Sequence, residues 1–283
     1  MISLQQTLTP RKVNDESDKL HVSSFSGGKD SSAMTAAMLE KGMKLDRVIM
    51  ADTGLEFQEI YDHIEWFDTW LKDNYALEVE VIKKEEVIKL SKAIIIDFKD
   101  GDSKSFKPGD MDNRTFDDWF YSKLSTGFRE GEKRGWPKVN TACWWMRESK
   151  FKPLNAVIGD NISYIGYAAD EKKRLGPATA KARFPLIEWG WTEEYALKYL
   201  DKIGMAKPIH HKFARTGCYL CPYQRPDSLR TLYKEYPALW KTLREYDANS
   251  PHTFNPKYSL DEIEEGIINE QECNKDCTRG RWF

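Results

Sequence analysis

Leu20-His21-Val22-Ser23-Ser24-Phe25-Ser26-Gly27-Gly28-Lys29-Asp30-Ser31 decides how this chain is read. Leu20 to Phe25 reads as a short strand that runs straight into a glycine pair. Ser31 to Lys41 then carries Ala and Met at helical spacing, and Gly42 follows as a stop. Phosphates need several backbone N–H groups pointing inward, and side chains at those positions would obstruct the approach. Gly27 and Gly28 remove the obstruction, and the following helix adds its positive N-terminal end. Ser26 and Ser31 can donate hydroxyl hydrogen bonds, and Lys29 supplies a mobile positive charge. The chain contains no G-x-x-x-x-G-K-[ST] sequence, so this is a different phosphate loop. A plain Gly-Gly turn is the alternative, and the order strand, loop, helix favours a nucleotide site.

Outward from the loop, Arg47 to Met50 reads as a second strand leading into Asp52-Thr53-Gly54. Glu59 to Asn74 reads as a helix with Ile60, Ile64, Phe67 and Leu71 on one face, and Leu77 to Ile82 as a third strand. This alternation predicts an α/β fold, a parallel twisted sheet with helices on both faces. From about Ser91 to Asn140 the pattern stops. Asp97 to Pro108 is rich in Gly, Asp, Lys and Pro, and Phe116, Trp119, Phe120 and Tyr121 follow. Residues 91–140 therefore read as an insertion, with a lid as its candidate role. A helix near Arg147 to Val157, a strand at Ile162 to Tyr167 and a helix at Glu193 to Ile203 resume the alternation. The expected organisation is an N-terminal extension (1–19), a nucleotide-binding domain (20–210) and a helical, cysteine-containing region (211–283).

A net charge of -2 excludes a global field drawing the chain to nucleic acid or membrane. Locally, Lys123, Arg129, Lys133, Arg134 and Lys138 lie beside Phe128 and Trp136, a mixture that suits single-stranded nucleic acid as well as a solvated loop. No run approaches the roughly 20 apolar residues of a spanning helix, and Met1 to Lys19 lacks the apolar centre of a secretory signal. The expected location is the cytoplasm, without membrane association. Of the five cysteines, Cys218 and Cys221 form a C-x-x-C between Gly217 and Pro222, while Cys143, Cys273 and Cys277 stand apart. In a reducing compartment such a set points to metal binding or catalysis before disulfides.

Ser-Gly-Gly-Lys-Asp-Ser resembles the PP-loop of the ATP pyrophosphatase and adenine nucleotide alpha-hydrolase superfamily. Within it the chain is most similar to the phosphoadenosine phosphosulfate reductase family, over roughly residues 20 to 225. That branch includes the small subunit of ATP sulfurylase and the sulfur-transfer protein of DNA phosphorothioation, the latter being closest in flavour. Asp52-Thr53-Gly54-Leu55-Glu56-Phe57 is similar to the family's second signature. Gly166-Tyr167-Ala168-Ala169-Asp170-Glu171 with Arg174 is similar to the third, with Ala168 where an Arg is common. The resemblance implies an adenine nucleotide alpha-hydrolase-like, Rossmann-like fold that binds ATP or phosphoadenosine phosphosulfate. The implied nucleotide contacts are Ser24, Ser26, Gly27, Gly28, Lys29, Asp30, Ser31, Asp52, Thr53, Gly166 and Arg174, with Lys29, Asp30 and Asp52 catalytic and Asp52 a Mg²⁺ ligand. It implies metal ligands at Cys143, Cys218 and Cys221, with Cys273 or Cys277 as a candidate fourth; a [4Fe-4S] cluster, zinc and no metal all stay open.

Three activities remain. An ATP-consuming enzyme would cleave the α–β bond, adenylate an acceptor such as tRNA or DNA and release pyrophosphate, with a sulfur or electron donor protein as partner. A phosphosulfate reductase would need a nucleophilic cysteine in a Glu-Cys-Gly-x-His-like tail. Here Glu272-Cys273-Asn274-Lys275 lacks the Gly and His. A non-catalytic nucleotide-binding subunit is the third. The complete loop favours the first.

Overall fold

Strand β1 (His21–Phe25) is hydrogen-bonded along both edges. Ser24 pairs with Ile49 of β2 (Arg47–Asp52) on one side and with Ile165 of β4 (Ile162–Ile165) on the other. Adding β3 (Val79–Lys83) and β5 (Ala182–Arg183) gives a five-stranded sheet of order β3-β2-β1-β4-β5, parallel throughout. The computed structural model describes residues 18–89, 113–127, 129–137, 143–175, 181–255 and 258–273.

A parallel strand covered on both faces reads as a continuous apolar run, and Val48, Ile49, Met50 and Ala51 of β2 are all buried. One apolar cluster joins Val22, Ile49 and Ile82 to Leu154 and Val157 of α3 (Lys152–Ile158). Another joins Met34 and Met38 of α1 (Lys29–Glu40) to Ile162, Tyr164 and Leu186. Helix α2 (Gln58–Tyr75) buries Ile60, Ile64, Phe67 and Leu71, the face expected from its spacing, together with His63. These layers make the predicted α/β fold.

The strand order reverses direction between β1 and β4. In open parallel sheets a ligand crevice lies at such a switch point, beyond the carboxyl ends of the strands. β4 is shorter than the sequence suggests: it ends at Ile165, and Tyr167 N–H turns back onto the Ile165 carbonyl (2.9 Å). The helix expected at Arg147 to Val157 begins with a π-helical turn, Arg147–Phe151, before continuing as α3. Thr192 caps α4 (Glu193–Lys202) by accepting from Tyr195 N–H at 3.1 Å.

Two compact units result. The first takes the described residues of Met1–Asn113 and Met146–His211, and the second those of Arg114–Trp145 and Lys212–Phe283. Residues 91–112, most of the first half of the expected insertion, lie outside the described residues. Its later residues supply core to the second unit. A capping box of Thr115 and Asp118 starts the helix Phe116–Phe120, which buries Phe116, Trp119 and Phe120. Trp136, 1% exposed, packs edge-on against Phe120 (5.0 Å) and Phe254 (4.9 Å) and donates its indole N–H to Asp247 (2.9 Å). Asp247 belongs to α6 (Pro237–Asn249), flanked by α5 (Pro226–Glu235) and α7 (Leu260–Cys273). Pro at the start of α5 and α6 suits a position whose N–H has no helical partner. Among the described residues, no helix is long and apolar enough to cross a membrane.

Trp136 is buried among aromatic rings of the second unit and satisfies a partly buried carboxylate, so Trp136→Ala should cost about 3–5 kcal/mol. The expected observation is a lower urea midpoint for that unit, followed by far-ultraviolet circular dichroism.

Candidate nucleotide-binding site

The loop leaving β1 is fixed by steric contact and by its own serines. Gly27 has φ +68°, and a Cβ there would lie 2.9 Å from Ile60 Cγ2 and 3.0 Å from Ile64 Cγ1 of α2. Only glycine fits both the space and the backbone conformation. Ser31 Oγ donates to the Gly28 carbonyl (3.1 Å) and accepts from Ser26 N–H (3.2 Å), with Ser26 Oγ at 3.0 Å. Gly28 is the N-cap of α1 and brings no capping side chain to the first-turn N–H groups. From the other side, the exit of β4 presses on this turn: a Cβ on Gly166 would lie 2.9 Å from both Cα and N of Ser31. Gly166 is therefore required by close backbone approach, which places the third signature against the first.

Lys29 is buried, and its ammonium bonds to Asp30 Oδ2 (2.8 Å) and Glu193 Oε2 (3.0 Å). Burial alone would lower its pKa, but the two carboxylates outweigh it and raise the net value. Asp30 is pushed up from 3.8 to about 6, first by burial, against the pull of Lys29, with Glu193 and Glu171 adding like-charge repulsion. Its Oδ1 is buried without a hydrogen-bond partner. Glu193, at the start of α4, is itself oriented by its N–H donating to Asp170 Oδ1 (3.1 Å). Asp170 and Glu171 lie in the 3₁₀ turn Ala169–Arg174. Arg174 ends that turn, and its side chain is outside the described residues.

At the exit of β2, Asp52 Oδ1 accepts from Gly54 N–H (2.8 Å) and from the Tyr61 hydroxyl (2.7 Å), and Oδ2 lies 3.9 Å from Lys83 Nζ. Thr53 donates to Glu56 Oε1 (2.9 Å) and accepts from Leu55 N–H (3.3 Å). The Glu56 pKa is raised by burial, against Lys150 of the π-helical turn and the Thr53 hydrogen bond. In this structure Asp52 and Thr53 hold the turn itself. Ser24, another expected contact, has its hydroxyl 2.9 Å from Ser163 Oγ, across the β1–β4 pair.

Residues 20–224 match the family model of the phosphoadenosine phosphosulfate reductase domain. The chain belongs to that family. Two uncharacterized proteins of Methanocaldococcus jannaschii are similar to it. One is 23% identical over 241 residues, covering 78% of this chain and 41% of the relative. The other is 25% identical over 232 residues, covering 77% and 45%. The chain thus spans less than half the length of these relatives. The matched range includes the three glycine-bearing turns after β1, β2 and β4, at the carboxyl ends of the sheet.

Two groups that hold the loop escaped the sequence reading, Glu193 on Lys29 and His210, whose Nε2 donates to the Gly27 carbonyl (2.9 Å). Cys143, Cys218 and Cys221 all belong to the second unit, as partly buried thiols, with Cys221 N–H turned onto the Cys218 carbonyl (3.1 Å). Cys218 lies by Tyr219, whose hydroxyl pKa is raised by burial, then by the Cys218 charge and Asp117. Among the described residues, no three His, Cys, Asp or Glu side chains come together as a metal ion requires. Cys277 and the side chain of Cys273 lie outside those residues. Of the basic and aromatic stretch, Phe128 and Lys138 are also outside. Trp136 is buried and so offers no face to a base, Arg129 pairs with Glu132 (2.5 Å), and the Arg134 guanidinium lies 4.5 Å from the centre of the Trp119 ring.

Asp30 gives this site a pH signature. Between its unfolded value of 3.8 and its folded value of about 6 the folded chain holds the extra proton. Stability should therefore fall as pH rises across that window and level off above it. Asp30→Asn cannot titrate, so the stability of wild type minus that of the variant should decline from about pH 4 to about pH 6 and then stay flat. Urea unfolding across that range checks it, and the difference cancels the groups common to both proteins.

Proposed function

We propose that this protein binds ATP at Ser26–Ser31 and cleaves it between the α and β phosphates, adenylating an acceptor and releasing pyrophosphate. The observation that supports this best is the placement of Lys29, a buried ammonium at the N-terminus of α1 where the sheet reverses direction. Loop amides and a helix N-terminus receive the phosphates, and Lys29 moves from its carboxylates to the more highly charged phosphate oxygens. The residues act electrostatically: charge building on the departing pyrophosphate meets donors already oriented before reaction. Mg²⁺ would be held largely by the phosphates with one or two carboxylates. Asp52 is the candidate, through Oδ2, because Oδ1 already accepts two hydrogen bonds.

The acceptor in this reading is a carbonyl or phosphate oxygen of a tRNA or DNA. Its oxygen attacks the α phosphorus and pyrophosphate leaves; a sulfur nucleophile from a donor protein then displaces AMP. Such chemistry fits the cytoplasm. A [4Fe-4S] cluster or zinc on Cys143, Cys218 and Cys221 is a separate question. The described side chains do not form a metal-binding group. Metal analysis of anaerobically purified protein decides it: stoichiometric iron or zinc that is lost in Cys218→Ala establishes a centre, and metal-free protein leaves thiols.

Phosphosulfate reduction is favoured by one observation, the family match itself. Against it stands a tail without the Gly and His of the reductase segment. Incubation with Mg²⁺ and ATP, with and without nucleic acid, should release pyrophosphate, and Lys29→Ala should slow this by about 100-fold or more. Sulfite release from phosphoadenosine phosphosulfate without pyrophosphate release from ATP would reverse the assignment.

A further inference from the structure

Behind the loop, on the side of α2, lie two buried histidines that the reaction does not use. His63 and His210 are 1% and 2% exposed, and their rings meet edge to face at 4.8 Å. His63 Nε2 is 3.0 Å from Ser32 Oγ, in the first turn of α1, and the ring stacks on Trp66 at 5.9 Å. His210 is fixed at both nitrogens. Nδ1 accepts the Lys207 N–H (3.2 Å) and Nε2 faces the Gly27 carbonyl (2.9 Å). A carbonyl can only accept, so the proton is on Nε2 and the ring is neutral. Burial, the largest influence, also lowers the pKa of both imidazoles and keeps them neutral.

The bond to Gly27 matters because of where it falls. The Gly27–Gly28 peptide lies between the two residues with the freest backbone in the loop, and Gly27 already has positive φ. In a trans peptide the carbonyl and the next N–H point in opposite directions. A carbonyl held down onto His210 therefore turns the Gly28 N–H away from the buried pair. A hydrogen bond on the carbonyl also polarises the peptide and makes that N–H a better donor.

We propose that His210 is a positioning residue for the phosphate loop, fixing the Gly27–Gly28 peptide so that the Gly28 amide is presented to the bound phosphates, with His63 buttressing the ring. This rests on the nucleotide reading above. His210 touches neither nucleotide nor acceptor; it acts through one peptide plane. Its loss should weaken ligands in proportion to their phosphates and spare the nucleoside.

The test compares His210→Phe, which keeps a ring and loses the donor, with His210→Gln, whose amide N–H has similar reach. ATP affinity is measured by calorimetry and adenosine binding by ligand-observed NMR, which reads weak binding. His210→Phe should bind ATP about 10-fold more weakly with adenosine unchanged within about 2-fold, and His210→Gln should recover most of the loss. If the Phe variant does not fold, His210→Asn replaces it, because its amide falls short of Gly27 and should show the same selective loss against Gln. Wild-type affinity for ATP in the donor-less variant overturns the proposal. So does an equal loss for ATP and adenosine, or a folded Gln variant that recovers nothing. Wild-type protein that binds neither ATP nor phosphoadenosine phosphosulfate overturns the nucleotide reading, and this proposal with it.

Discussion

The site depends on how closely backbone approaches backbone around the start of α1. The Gly166 α-carbon lies so near the Ser31 backbone that no side-chain carbon could stand between them, while Gly27 is confined by the side chains of two isoleucines of α2 and by its positive φ. The Gly166 contact cannot relax by rotating a side chain, so it holds the first turn of α1 against the β4 exit with little play. Phosphate recognition by N–H groups needs that precision, since a misplaced donor loses most of its hydrogen bond. The sheet supplies the rest: β1 is paired on both edges, and neither the loop nor the β4 exit can shift without breaking a ladder.

Charge around the loop is arranged with the same economy. One ammonium, Lys29, meets Asp30 and Glu193, and Glu171 adds its field. An anionic ligand entering this set competes with carboxylates for the same cation, so on the nucleotide reading Asp30 and Glu193 must yield to it. Asp30 is suited to that, because its burial already brings it close to accepting a proton. The buried positive charge is thus held in place without being committed to one partner.

Much of this was legible in the sequence, but unevenly. β1, the glycine loop, α1 and the apolar face of α2 follow from local spacing, because each is encoded within one or two turns of chain. Glu193 and His210 reach the loop across 164 and 183 residues, and no local pattern carries such a pairing. His63 was hidden for another reason: a histidine between Ile60 and Ile64 reads as a polar interruption, and its burial is visible only once α1 brings Ser32 against it. The stretch around Trp119 and Trp136 lacks periodicity because its helix is five residues long. Trp136 reads as part of a basic stretch suited to nucleic acid or to a solvated loop, whereas its burial against Phe254 needs a segment more than a hundred residues later.

That last separation has a consequence for how the protein is made. The indole of Trp136 finds Asp247 across 111 residues, and the intervening chain belongs largely to the other unit. During translation, at about 5–20 residues per second, Trp136 emerges well before Asp247 and Phe254 and must wait for these partners to leave the ribosome. The sheet can close around its loop in the meantime. The newborn chain therefore passes through a stage in which its glycine loop is assembled while Trp136 still lacks its cover, and that interval is when chaperones would matter most to it.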